Sequence, residues 1–107
     1  MIQDKTKLYP IGTVVELENF DRLFMIAGYF RTDENGVLYD YSAFSYPVGN
    51  AGPRSLLLFN ANTIRSVVIE GYRDELFDSY AARIDEVKAK IYDYVADNDR
   101  AIKPILE

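Results

Sequence analysis

From Gly12 to Glu70 the apolar residues come in short runs broken by polar turns, whereas after Gly71 they recur every three or four positions. The first pattern predicts strands and the second a helix. Gly12 to Leu17 is apolar and β-branched and is entered through Pro10, whose fixed φ and missing donor suit the start of a strand. Asn19 to Asp21 is polar enough to turn the chain, and Arg22 to Phe30 gives a second run. Asp33-Glu34-Asn35-Gly36 sets Asn-Gly between apolar runs, a strong hairpin signal because both residues tolerate φ > 0, and leads into a third strand from Val37 to Tyr46. Two prolines and two glycines then make Tyr46 to Ser55 a loop. Leu56 to Phe59 is a fourth strand, Asn60 to Ile64 a turn with one helical turn capped by Asn60, and Ser66 to Glu70 a fifth strand.

Phe77, Tyr80, Ile84, Val87, Ile91 and Val95 fall on one stripe of a helix from about Arg73 to Asp97. Asp74, Glu75 and Asp78 sit in its first turns, where the helix dipole favours anions. Such a helix would be about 37 Å long, more than five short strands are expected to cover. Either it breaks near Asp97-Asn98-Asp99 and Ile102, Ile105 and Leu106 fold back, or its distal stripe meets another chain. The expected fold is therefore α+β: a small five-stranded antiparallel, barrel-like sheet over 8–70, then a long C-terminal helix over 73–97 and a tail or short helix over 98–107, all in a single domain, 1–107.

With no cysteine and no histidine among 107 residues, thiol nucleophiles, zinc fingers, iron–sulfur sites, the usual triads and most transition-metal sites are excluded. A net charge of −5 argues against nucleic acid, whose backbone is held by clustered Lys and Arg. No apolar run approaches the ~20 residues that span a bilayer. The segment Met1 to Lys7 is polar, with no apolar core or small-residue cleavage site behind it, so a cytoplasmic location is expected, or export without a cleaved signal.

Candidate chemistry is sparse. Gly49 to Ser55 superficially resembles a phosphate loop, but it lacks the lysine and hydroxyl opening a helix, and Pro53 removes a donor. The pairs Asp33-Glu34, Asp74-Glu75 and Asp85-Glu86 lack the alternating oxygen spacing of a calcium loop and read as solvated faces or helix-start charges. Neither catalytic residues, nor a metal, nor a cofactor are expected. The unusual feature is nine tyrosines, notably Tyr39-Asp40-Tyr41 and Tyr92-Asp93-Tyr94. Period two on a sheet accounts for Tyr39 and Tyr41, whereas Tyr92 and Tyr94 flank the helix stripe and are equally suited to an interface.

Tyr9-Pro10-Ile11-Gly12-Thr13-Val14-Val15, Tyr39-Asp40-Tyr41, Tyr46-Pro47-Val48-Gly49-Asn50, Phe59-Asn60 and Val68-Ile69-Glu70-Gly71-Tyr72, in that order, resemble the small domain-of-unknown-function 4176 family of Gram-positive bacteria, over about Leu8 to Glu75. The resemblance implies an encoding among type VII secretion genes, close to toxins with an LXG domain. It further implies a non-enzymatic accessory, chaperone-like or adaptor role in toxin export, with no catalytic residues to carry over. The alternative is an immunity protein that neutralises a cognate toxin domain by covering a basic active site, which a net charge of −5 fits equally well.

A helical LXG region is the partner the resemblance implies. Its expected contact surface is the C-terminal helix, at Tyr80, Ile84, Val87, Ile91, Tyr92, Tyr94 and Val95, with Tyr46 and Asn50 of the loop as a second candidate. The first half of the stripe is at least as well explained by packing on the sheet. Ile91 to Val95 is assigned to an interface, with a homodimer through the helix when the partner is absent.

Overall fold

The computed structural model describes residues 7–97, the side chains of 89 and 91–97 excepted. Strands β1 (Val14–Leu17), β2 (Leu23–Thr32), β3 (Leu38–Tyr46) and β4 (Leu57–Phe59) form a meander, followed by a 3₁₀ turn (Ala61–Thr63), β5 (Ile64–Ile69) and helix α1 (Glu75–Asp97). β5 returns beside β1, so the five-stranded sheet has the order β4-β3-β2-β1-β5, with every pair antiparallel. The change of period at Gly71 does mark the change from sheet to helix.

The sheet is curled but not closed: β4 and β5 form its two edges and do not pair with each other. In a flat sheet of five strands those edges would stand about 19 Å apart. The link from Phe59 to Ile64 reaches at most about 18 Å when fully extended, and its 3₁₀ turn rises only about 2 Å per residue. The edges must therefore bend toward each other. The link is bonded on both flanks, since the Glu18 N–H donates to the Thr63 carbonyl at 2.9 Å and the Ala61 N–H donates to Asp40 Oδ2 at 2.8 Å. Alternate residues of the strands, Val15, Leu17, Phe24, Ile26, Tyr41, Ala43, Phe59 and Ile64, fill the core together with Ala61 of the 3₁₀ turn, all buried.

Two turns differ from the expectation. Asn35-Gly36 is not a two-residue hairpin turn: β2 ends at Thr32 and β3 starts at Leu38, and only Gly36 of the pair has positive φ, +82°. Asp33 builds the wider loop, its Oδ1 accepting the N–H groups of Asn35 and Val37, both at 2.9 Å, which outcompetes the tighter turn. Asn60 does precede a helical turn, yet its side chain makes no cap bond. It reaches across to β3 and accepts the Asp40 N–H at 3.0 Å.

The helix begins at Glu75 because Asp74 caps it, Oδ1 accepting the Phe77 N–H at 2.9 Å. It docks through Ile84, which is buried against Phe30 and Leu38 with Leu8, Tyr29 and Val87 around them. Neighbouring strand residues normally point to opposite faces. Phe30 has φ of +52°, however, and its ring lies 6.4 Å from that of Tyr29, on the same side. The left-handed backbone costs of order 1–2 kcal/mol for an aromatic residue and turns Phe30 inward to receive the helix.

Candidate partner-binding surfaces

Aromatic rings connect α1 to the far edge of the sheet. Tyr80 of the helix lies 5.8 Å from Tyr29 on β2, Tyr29 lies 5.8 Å from Tyr41 on β3, and Tyr41 stacks on Phe59 of β4 at 5.4 Å. The hydroxyls of the two middle rings hold the segment that precedes β1. Tyr29 Oη donates to the Tyr9 carbonyl at 2.6 Å, and Tyr41 Oη accepts the Tyr9 N–H at 3.0 Å. Burial pushes the Tyr41 phenol up to about 12, and burial also raises Tyr29 and Tyr80. These rings are neutral structural posts at ordinary pH.

A second lock joins the two ends of the sheet region. Thr13 is fully buried, donates through Oγ1 to the Pro10 carbonyl at 2.7 Å, and accepts the Gly71 N–H at 3.0 Å. A Cβ on Gly71 would overlap the Ile11 carbonyl oxygen, so only glycine lets the chain pass so close. From Gly71 the backbone goes straight into α1. Arg73 ties this corner down, pairing with Glu70 at 2.9 Å and Asp78 at 3.1 Å, with its guanidinium 5.0 Å above the Phe77 ring.

This corner is apolar and open. Ile11, Tyr72, Leu76 and Tyr80 are 56%, 78%, 80% and 42% exposed around the half-buried Phe77. Together with Tyr29 and Asp74 they line a shallow groove of ≈ 530 Å³ between the start of the helix and the sheet. Exposed apolar side chains gathered in one place mark surfaces that receive another molecule.

A larger groove of ≈ 1040 Å³ lies between the β1–β2 turn and the loop that follows β3. Its lining includes Phe20 and Arg22 from the turn with Phe24 of β2, Arg54 from the loop with Leu57 of β4, and Arg65 from β5. The loop is held by its own side chains: Asn50 Oδ1 accepts the Gly52 N–H at 3.1 Å, and Ser55 Oγ accepts the Ala51 N–H at 3.0 Å and donates to the Gly52 carbonyl at 2.7 Å. The Tyr46–Pro47 bond is cis.

The residues singled out from the sequence are divided among these places. Tyr80 belongs to the apolar corner, Ile84 is buried under the helix and Val87 is half-buried beside it. Tyr46 is 54% exposed and does not line the larger groove, whereas Asn50 orders that groove's loop. The side chains of Ile91, Tyr92, Tyr94 and Val95 lie outside the described residues, as do Ile102, Ile105 and Leu106. The stripe gives no hint of Ile11, Tyr72 or Leu76. Leu76 had one legible sign, an apolar residue off the stripe among the acids of the first turn.

A family model described as a domain of unknown function (DUF4176) matches residues 8–78. The chain belongs to this family. The DUF4176 match runs from the segment held by the tyrosine hydroxyls, through all five strands, to the first turn of α1. It thus includes every residue of the apolar corner except Tyr80. No curated protein and no solved structure matches the chain. Among the described residues, no group of three or more metal-ligating side chains gathers, and no helix is long and apolar enough to cross a membrane.

Proposed function

We propose that this member of the DUF4176 family is a non-enzymatic, chaperone-like adaptor for toxin export by a Gram-positive type VII secretion system, acting in the cytoplasm. The observation that carries the reading is the exposed apolar corner of Ile11, Tyr72, Leu76 and Tyr80. A helix of an LXG region can lay its apolar face there, with Tyr72 and Tyr80 supplying large rings whose hydroxyls stay wet. The absence of histidine and cysteine supports a role in binding rather than catalysis. The resemblance described above supports the toxin as the partner.

Co-expression with the toxin divided into its N-terminal LXG region and its C-terminal toxic domain tests this reading. Co-purification with the LXG half is the expected result. Co-purification with the toxic half, together with rescue of cell growth, would replace the adaptor by an immunity protein, a reading that the net charge of −5 supports.

A further inference from the structure

We propose that the groove between the β1–β2 turn and the loop after β3 binds an acidic, amphipathic peptide segment, with Arg22, Arg54 and Arg65 holding its carboxylates. The protein as a whole carries a charge of −5, yet this lining has three arginines against one acid, Asp21. Such local reversal of sign attracts a negatively charged ligand to this place and away from the rest of the surface. Arg22 and Arg54 are exposed and have no ion pair among the described residues, so their guanidinium forks are available for carboxylate oxygens. Arg65 has only a loose pair with Glu16 at 3.6 Å, both side chains being about half exposed.

The groove is also apolar along its length. Phe20, 44% exposed, sets its ring edge-on to Phe24 at 5.2 Å, and Val48, Leu56 and Leu57 stand on the other wall. A volume of ≈ 1040 Å³ is far more than one phosphate or carboxylate ion fills and suits several residues of a peptide. An occupant must then present apolar and acidic groups together. The Asn50 and Ser55 bonds hold one wall in place beforehand, which lowers the ordering cost of binding. This groove is separate from the apolar corner: Phe24 and Tyr29, which line one each, are about 16 Å apart along β2.

The test is fluorescence polarisation of the full chain with a labelled decapeptide of alternating Glu and Leu, against the same peptide with Lys for Glu. The Glu peptide should bind with a Kd below about 1 mM, at least about tenfold tighter than the Lys peptide, and should weaken on adding salt. Arg22→Glu and Arg54→Glu, at exposed positions without intramolecular pairs, should retain the thermal midpoint and together weaken binding by at least about tenfold. Equal binding of the two peptides, equal binding by the double variant, or no binding at about 1 mM overturns the proposal. Full displacement of the peptide by inorganic phosphate at a similar concentration also overturns it, because the site would then be one for a small anion. The toxin plays no part in this assay, so its failure leaves the adaptor reading standing, and the reverse.

Discussion

Asp40 on β3 and Asn60 in the link after β4 bond reciprocally: Asn60 Oδ1 accepts the Asp40 N–H at 3.0 Å while Asp40 Oδ2 accepts the Ala61 N–H at 2.8 Å. The pair clamps β3 to the link that carries the chain from one edge of the sheet to the other. Removing either side chain takes away the acceptor of a backbone N–H, buried at Ala61 and half-buried at Asp40, at a cost of about 1–3 kcal/mol. Asp40→Ala and Asn60→Ala should each lower stability by that amount in urea unfolding. The double variant should cost less than the sum of the two, with a coupling of at least about 0.5 kcal/mol.

Gly71 and Thr13 form the second clamp, with a sharper steric consequence. Gly71→Ala brings a methyl group against the Ile11 carbonyl, and the backbone must move to admit it. Loss of about 1–3 kcal/mol is expected, which for a domain of this size is a fall of about 5 to 15 °C in Tm. Thr13→Val keeps the shape but leaves the Gly71 N–H without its acceptor, and should cost a similar amount by calorimetry.

These clamps show what could be read from the sequence and what could not. The strands and the helix were legible because runs of apolar residues and a 3–4 spacing are local signals. Openness of the sheet was not legible, since it depends on how the 60–63 link meets β1 and β3 rather than on any one segment. Asn60 reads as a helix cap, yet its bond crosses to Asp40 on β3, a partner that spacing alone does not choose, while the local bonds of Asp33 to the N–H groups two and four residues on compete with the Asn-Gly turn signal. The arginine groove gave no signal at all, because Arg22, Arg54 and Arg65 are distant in sequence and meet only through the fold.

Tyr41 makes stability depend on alkaline pH. Its phenol ionises near 10 in an unfolded chain and at about 12 in the fold, where burial disfavours the charge. A group whose pKa is raised by folding stabilises the fold fully below its unfolded pKa, so the contribution is complete below about pH 10 and is lost as pH rises toward 12. Urea midpoints should stay level with respect to this group up to about pH 10 and fall above it. Tyr41→Phe should be less stable at neutral pH, because the Tyr9 N–H loses its acceptor, and should show a shallower alkaline decline.

Helix docking rests on one buried residue among the described positions of α1, Ile84 in its seat between Phe30 and Leu38. Ile84→Ala should cost about 2–4 kcal/mol, near the lower half of the range for core truncations, because only one side chain's cavity is opened. Leu76→Ala, at a position 80% exposed, should stay within about 0.5 kcal/mol of the unaltered protein. Urea unfolding of the two variants side by side measures the contrast.

The apolar corner is best tested by titrating purified LXG region into the intact chain and into a Tyr72→Ser, Leu76→Asp variant, after circular dichroism has shown that both unfold at the same temperature. The two substituted side chains are 78% and 80% exposed, so the fold should be indifferent to them. The adaptor account predicts that the LXG region binds the intact chain and that the variant binds at least about tenfold more weakly, through loss of the apolar anchors. Equal affinity for the two proteins, or binding of the toxic domain in place of the LXG region, would contradict it.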